Sequence, residues 1–412
     1  MKPLIAALLL ALVAAPAMAG DAVDTTFVKA RGEHAFNVRD LVMMDRVGDP
    51  QLSPDGRYAA FGVRSTDYAA NKGVGAIYVL DLSAAGAQPV KVVDKGGSAR
   101  WSADGRSLYF VAPAKDVAQL WRLDLGGKTG LNPGRHAAPV QVSHGALDLG
   151  GYKLSPDGKQ VLLSYEVFTD CATLACTQQR VDARDKDKAS GTIYKKLFVR
   201  HWDTWANGRR NQLFVGQFDG KGQLAAEPKL LSRGIDGDVP SKPFGDEGEF
   251  SFSPDGKTVY FDVRIAGSSE PWSTNFDVYS VPADGSAAPR NLTAENKAWD
   301  ASPVASPDGK TLYYLAMKKP GFEADRFAIM ALDLATGARH EVDPQWDRSP
   351  GGLTISADGK TLYATADDNG QHPLFAIDAA SGKVSQLVGE GTVGGFSLAA
   401  GKLLLTRDDL KR

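Results

Sequence analysis

Short apolar runs alternate with polar turns along nearly the whole chain, and extended helical periodicity is rare. Phe250–Asp262 shows the repeating unit: Phe250 and Phe252 lead into Ser253-Pro254-Asp255-Gly256, and Val259, Tyr260 and Phe261 lead out. Ser suits the first position of a type I turn because its hydroxyl bonds local backbone. Pro presets φ at the second position, Asp follows, and Gly accepts a left-handed backbone at the fourth. Aromatic and β-branched residues on both sides make the unit a β-hairpin.

The hairpin recurs. Copies begin at Ser53, Ser102, Ser155, Ser253, Ser306 and Ser356, with a decayed copy at Ser397, so successive serines stand 49, 53, 98, 53, 50 and 41 residues apart. A third strand follows most copies, at Ile77–Leu82, Leu120–Leu125, Leu213–Asp219, Val278–Asp284, Ile329–Leu334 and Leu374–Ala379. A fourth follows each of these, as at Val90–Val93 or Arg290–Leu292. Four strands per repeat, at a period of about 40 to 50 residues, is the make-up of propeller blades. Runs such as Leu108-Tyr109-Phe110-Val111 are apolar on both faces, as strands sandwiched between blades must be. The pattern predicts an all-β, seven-bladed β-propeller over residues 48–412.

Two places break the rhythm. In blade three, Val161–Val167 is not followed by a recognisable strand until Leu213, so 168–212 reads as an insertion; the other reading is an eighth blade that lost its turn. The insertion holds Cys171 and Cys176, a charged run Arg180–Lys188, and a basic aromatic stretch ending Arg200-His201-Trp202-Asp203-Thr204-Trp205. Long insertions on scaffold rims carry function, and Arg among aromatic rings is what interfaces favour. That makes Arg200, His201, Trp202, Asp203 and Trp205 the candidates for substrate gating or an interface, against a plainer role for Trp202 and Trp205 as a cover for blade three. Blade seven begins at Gly394 and has two inner strands, Gly395–Ser397 and Lys402–Thr406, with no third or fourth before Arg412, so the propeller reads as cut short.

Before the first blade, Met1-Lys2, the apolar run Pro3–Ala15 and Ala17-Met18-Ala19 read as a cleavable signal peptide over 1–19. Residues 20–47 then form an arm and a short helix over Asn37–Arg46, with Asn37 as N-cap and Val38, Leu41 and Val42 on one stripe. In the oxidising compartment this implies, the cysteine pair reads as a local disulfide, since its spacing fits neither C-x-x-C nor a closed zinc site. The chain has 47 basic and 49 acidic residues, which argues against a nucleic-acid or anionic-membrane surface, and no later run is long enough to span a bilayer.

The chemistry of catalysis is missing from the pattern. Gly395-Phe396-Ser397-Leu398-Ala399 resembles a nucleophile elbow but lacks the second glycine, and a strand follows where a helix is needed. Gly127-Lys128-Thr129 has Arg122 where a phosphate loop needs glycine, and reads as a hairpin turn. The aspartates of the repeated turns are turn formers. No catalytic residue, metal site or cofactor is expected.

The repeated Ser-Pro-Asp-Gly hairpins, the lead-in Gly48-Asp49-Pro50-Gln51-Leu52 and above all Lys196-Leu197-Phe198-Val199-Arg200-His201-Trp202-Asp203-Thr204-Trp205 carry a resemblance. Together they are similar to the N-terminal half of prolyl-oligopeptidase-family (S9) serine peptidases, within them the exported dipeptidyl-peptidase V and acylaminoacyl-peptidase group. The hairpin repeat alone is shared with WD40-like propellers and periplasmic TolB-like propellers. The resemblance implies a propeller that sits over an α/β-hydrolase domain, admits oligopeptides by size, and leaves the Ser, Asp and His triad to that domain. No such domain is found in these 412 residues, so the chain is expected to be inactive alone, with an oligopeptide substrate reached through the missing domain. The other expectation is a stand-alone periplasmic propeller binding a protein or peptide partner.

Overall fold

The computed structural model describes residues 35–127 and 130–409. The expected signal peptide, the arm up to residue 34, and Lys128 and Thr129 lie outside the described residues. Gly126–Gly127 pairs with Gly130–Leu131 around that last gap, as a hairpin turn would.

The architecture is a β-propeller whose blades are antiparallel four-stranded sheets with strands in chain order. Blade one runs from Arg46–Leu52 through Tyr58–Asp67 and Lys72–Asp81 to Val90–Val93. Blade three has Leu149–Leu154, Gln160–Val167, Arg210–Gln217 and Lys229–Leu230, and blade four has Phe250–Phe252, Thr258–Arg264, Phe276–Pro282 and Arg290–Asn291. Among the described residues six sheets have four strands, so the full blades number six and not seven; the seventh place, expected as an incomplete blade, holds a two-stranded hairpin, Thr392–Ala399 with Lys402–Asp408. Blade six joins that hairpin through a parallel bridge between His372 and Thr392. On its other side Lys402 Nζ donates to Gly56 O of blade one at 2.9 Å, so the chain's two ends meet.

The repeated turns share one geometry. Ser53 Oγ donates to Asp55 Oδ1 at 2.5 Å and accepts from Tyr58 N at 2.9 Å, while Gly56 N donates to Ser53 O at 2.8 Å with Gly56 at φ 65°. The same serine–aspartate bond recurs at Ser102, Ser155, Ser253, Ser306 and Ser356. Each aspartate therefore closes its own turn, as expected of a turn former.

The core lies between blades. Leu162, Leu213 and Val215 of blade three pack on Phe250, Val259, Phe261 and Val263 of blade four. Leu120 and Tyr109 of blade two pack likewise on Leu163 and Phe214. Inner strands lose both faces to neighbours, which explains their unbroken apolar runs.

The lead-in helix spans Val38–Met43, three residues shorter at its end than expected because Arg46 already begins a strand. Asn37 and Asp40 form a reciprocal capping box, with Asp40 N donating to Asn37 Oδ1 at 3.3 Å and Asn37 N to Asp40 Oδ2 at 2.8 Å. Its apolar stripe is not packed: Val38, Leu41 and Val42 are exposed.

Blade topology sorts the connections. Turns between first and second strands, and between third and fourth, lie at one end of every blade. Connections from second to third strands, and from one blade to the next, lie at the other. The blade-three insertion joins a second strand to a third and so belongs to this second face. The insertion builds no extra blade.

Candidate functional site

The insertion is anchored at its root. Cys171 and Cys176 are disulfide-bonded, and Thr173 Oγ1 accepts Cys176 N at 3.2 Å to cap a helix over Leu174–Asp185. The sequence pattern hid this helix because its residues are mostly polar and only Thr177 is buried. Thr177 accepts Phe168 N at 3.3 Å, and Arg184 donates to Asn207 O at 2.7 Å, so the helix bridges the strands entering and leaving the insertion.

Beyond the helix, Arg200 pairs with Trp205 and His201 with Thr204 in a minimal ladder whose loop is Trp202-Asp203. Trp202 takes a left-handed φ of 49°, unfavourable for a bulky side chain. Neighbouring rings hold it: His201 lies 5.4 Å from Trp202, and Trp202 5.2 Å from Phe244 in the connection to blade four. Phe198 stacks on His201 at 5.2 Å, which extends the row of rings. Arg200 lies over Trp205, 5.6 Å from the ring centroid, and donates to Trp202 O.

Between the insertion and the scaffold lies a cleft of about 710 Å³. Of the sequence candidates, Arg200, His201 and Trp205 line it. Trp202 stands outside the wall against Phe244, and Asp203 is exposed at the loop tip. The residues that sequence reasoning missed are the ionic floor. Arg210 makes a bidentate pair with Glu270 at 2.7 and 2.5 Å and a bond to Asp238 at 2.8 Å. Glu166 accepts from Arg209 at 2.7 Å, from Asn207 at 3.0 Å, and from Lys242. Burial alone would push the Glu166 carboxyl up, but Lys242, Arg209 and Asn207 together hold it below the usual range. The Glu270 hydrogen bonds raise Arg210 against the opposing effect of burial. Arg264 is the exception: burial, with Arg210 beside it, lowers its pKa. It has a hydrogen bond to Ser273 O at 2.9 Å and only a 3.9 Å approach to Glu270.

One signal for this floor existed. Glu166 stands one residue from the end of Gln160–Val167 and Arg264 is the last residue of Thr258–Arg264, so each places a charge at the second-face end of an inner strand. A charge at such a position needs a partner, but the sequence does not say which.

Comparison with known proteins follows the geometry. No protein-family model matches the chain. It is 28% identical to dipeptidyl-peptidase 5 of Porphyromonas gingivalis over 390 residues, covering 92% of this chain and 54% of that protein. It is 27% identical to dipeptidyl-peptidase 5 of Arthroderma otae over 408 residues, covering 91% and 53%. The chain thus spans about half the length of the curated relatives it matches. Among solved structures, the Pyrococcus horikoshii acylaminoacyl peptidase aligns with a TM-score of 0.62 at 15% identity, over 89% of this chain and 49% of that one. The β-propeller domain of the Trilobed protease from Pyrococcus furiosus aligns with a TM-score of 0.55 at 13% identity, over 89% and 91%. Over most of its length the chain is therefore similar to the propeller portion of S9-type serine peptidases of the dipeptidyl-peptidase 5 and acylaminoacyl-peptidase kind.

Proposed function

We propose that this chain is the non-catalytic, substrate-gating propeller of an exported S9-type serine peptidase that acts on the N-termini of oligopeptides. One observation carries the reading. Every exposed Phe and Trp among the described residues, namely Phe36, Trp202, Trp205, Phe244, Trp272 and Phe322, belongs to the second face, in the lead-in or in the connections at that end. The exposed stripe of Val38, Leu41 and Val42 joins them, held there by Thr66 Oγ1 donating to Val42 O at 2.7 Å. The opposite face carries the polar Ser-Pro-Asp-Gly turns. Exposed aromatic rings gathered at one face of a scaffold mark an interaction surface, and in this reading an α/β-hydrolase domain covers it.

The division of labour follows. The hydrolase supplies the Ser, Asp and His triad and the acyl-enzyme chemistry that releases dipeptides or acyl-amino acids. The propeller closes one side of the active-site chamber, and its cleft, with Arg200, His201 and Trp205, faces the chamber and orients the peptide.

The test is to sequence the coding region beyond codon 412 and assay its full product. A frame encoding G-x-S-x-G followed by Asp and His, with dipeptide release from oligopeptides but not from folded proteins, is the expected result. Absence of such a frame, together with a monodisperse chain that captures a separate protein partner, would favour the stand-alone binding propeller instead.

A further inference from the structure

Charges in the cleft do not balance. Its lining holds eight cationic side chains, Arg184, Lys195, Lys196, Arg200, Arg209, Arg210, Lys242 and Arg264, against four carboxylates, Glu166, Asp236, Asp238 and Glu270. All four carboxylates are already engaged with Arg209, Arg210, Lys242, Lys196 or Arg264. Among the described residues, Arg184, Lys195 and Arg200 have no carboxylate partner within ion-pair distance; Arg184 and Arg200 bond only backbone carbonyls. Arg264 is buried deeper in the wall and shares a carboxylate that Arg210 holds bidentately. The excess is local, because the whole chain carries a formal net charge of −2. Concave walls of one charge sign concentrate counter-ions of the other. The guanidinium fork is built for carboxylates, and the face of Trp205 beneath Arg200 offers an apolar shelf beside it.

We propose that this cleft selects peptides carrying a carboxylate, which docks on Arg200 and Lys195 at the mouth while Arg264 biases the wall from within. The inference rests on the peptide-gating reading and adds a substrate class to it: acidic oligopeptides, or peptides held by their terminal carboxylate.

Isothermal titration of the purified chain tests it with N-acetylated pentapeptides containing two aspartates, or two asparagines in the same places, each with a free or an amidated C-terminus. The aspartate peptide should bind about tenfold more tightly than its asparagine isostere at low ionic strength, and the gap should shrink in 0.5 M salt, as expected of a screened ionic contact. The double variant Arg200→Gln with Lys195→Gln alters two exposed side chains and should abolish the gap, whereas Lys310→Gln on the opposite face should keep it. A gap that tracks the free C-terminus in place of aspartate supports the proposal and identifies the terminal carboxylate as the anchor. Equal affinity for all four peptides, or a gap that survives the double variant, overturns it while leaving the gating reading intact. No binding of any peptide removes both.

Discussion

The hydroxyl of Ser397 accepts a hydrogen bond from the backbone N–H of Leu52 at 2.9 Å, across 345 residues of chain. In the six regular turns the equivalent serine is consumed locally, donating to its aspartate and accepting the N–H five residues on. The seventh copy, Ser397-Leu398-Ala399-Ala400-Gly401, lacks the aspartate, and its serine instead joins the last hairpin to blade one. The nearest thing to a nucleophile motif in the chain is thus part of the seam that brings the ends together.

Ser397→Ala should therefore act on stability. It leaves the Leu52 N–H without its partner in a half-buried strand, a loss of about 1–3 kcal/mol. Urea unfolding followed by tryptophan fluorescence measures it, and an unchanged midpoint would mean that the seam contributes nothing.

Two glycines separate the cost of the turn from the cost of the seam. Gly56 and Gly309 occupy equivalent turns at φ 65° and 69°. A Cβ on Gly56 would stand 3.0 Å from the Ala400 Cβ and 3.3 Å from Lys402 Cδ, whereas one on Gly309 meets nothing within 4 Å. Gly309→Ala should cost the left-handed backbone penalty alone, about 1–2 kcal/mol. Gly56→Ala should cost more, and the difference between their unfolding free energies reports the closure contact.

Arg210→Met should be among the more damaging single changes. It leaves Glu270 and Asp238, both largely buried, without the guanidinium that binds them, and breaking a buried ionic group this way costs about 3–5 kcal/mol. Adding Glu270→Met should recover part of the loss, because the orphaned charge goes with it. A double-mutant cycle in denaturant checks both statements.

Stability should fall as the solution becomes more alkaline. Burial pushes the Glu249 carboxyl up to about 7, against the hydrogen bonds from Ser241, and burial raises Asp300 to about 7 against the bond from Asn296. Burial, with Glu249 nearby, raises Asp262 as well. Their ordinary values are 4.5 for Glu249 and 3.8 for Asp300, so between those values and about 7 the folded chain holds protons the unfolded chain has released. Unfolded chains that bind fewer protons gain ground as pH rises, so stability declines through that window. The turn aspartates work the other way. Hydrogen bonds from their serines lower Asp55, Asp157, Asp255, Asp308 and Asp358, and that contribution disappears as pH falls below about 3.8. The unfolding midpoint should peak at mildly acidic pH, and Glu249→Gln should flatten the decline above it.

Local chemistry made much of this legible in advance. A turn of Ser, Pro, Asp and Gly closes on itself whatever surrounds it, so each copy announced a hairpin, and the third and fourth strands followed within a few residues of their expected places. The capping box at Asn37 and Asp40 is equally local. The helix Leu174–Asp185 escaped because it buries almost nothing, and periodicity is visible only where an apolar face must be hidden.

The sequence alone determined the propeller class, the overgrown blade three and the half-built seventh blade, because these follow from contacts between residues close along the chain. Only the tertiary structure decided that Ser397 serves the seam, and that Glu166, Asp238 and Glu270 converge on Arg209, Arg210 and Lys242 in the cleft lined by Arg200 and Trp205. The partners Arg210 and Glu270 are 60 residues apart and come from different blades. Charged residues carry no periodicity that names a partner, so their pairing follows from the blades' arrangement, and with it the cation excess of the cleft.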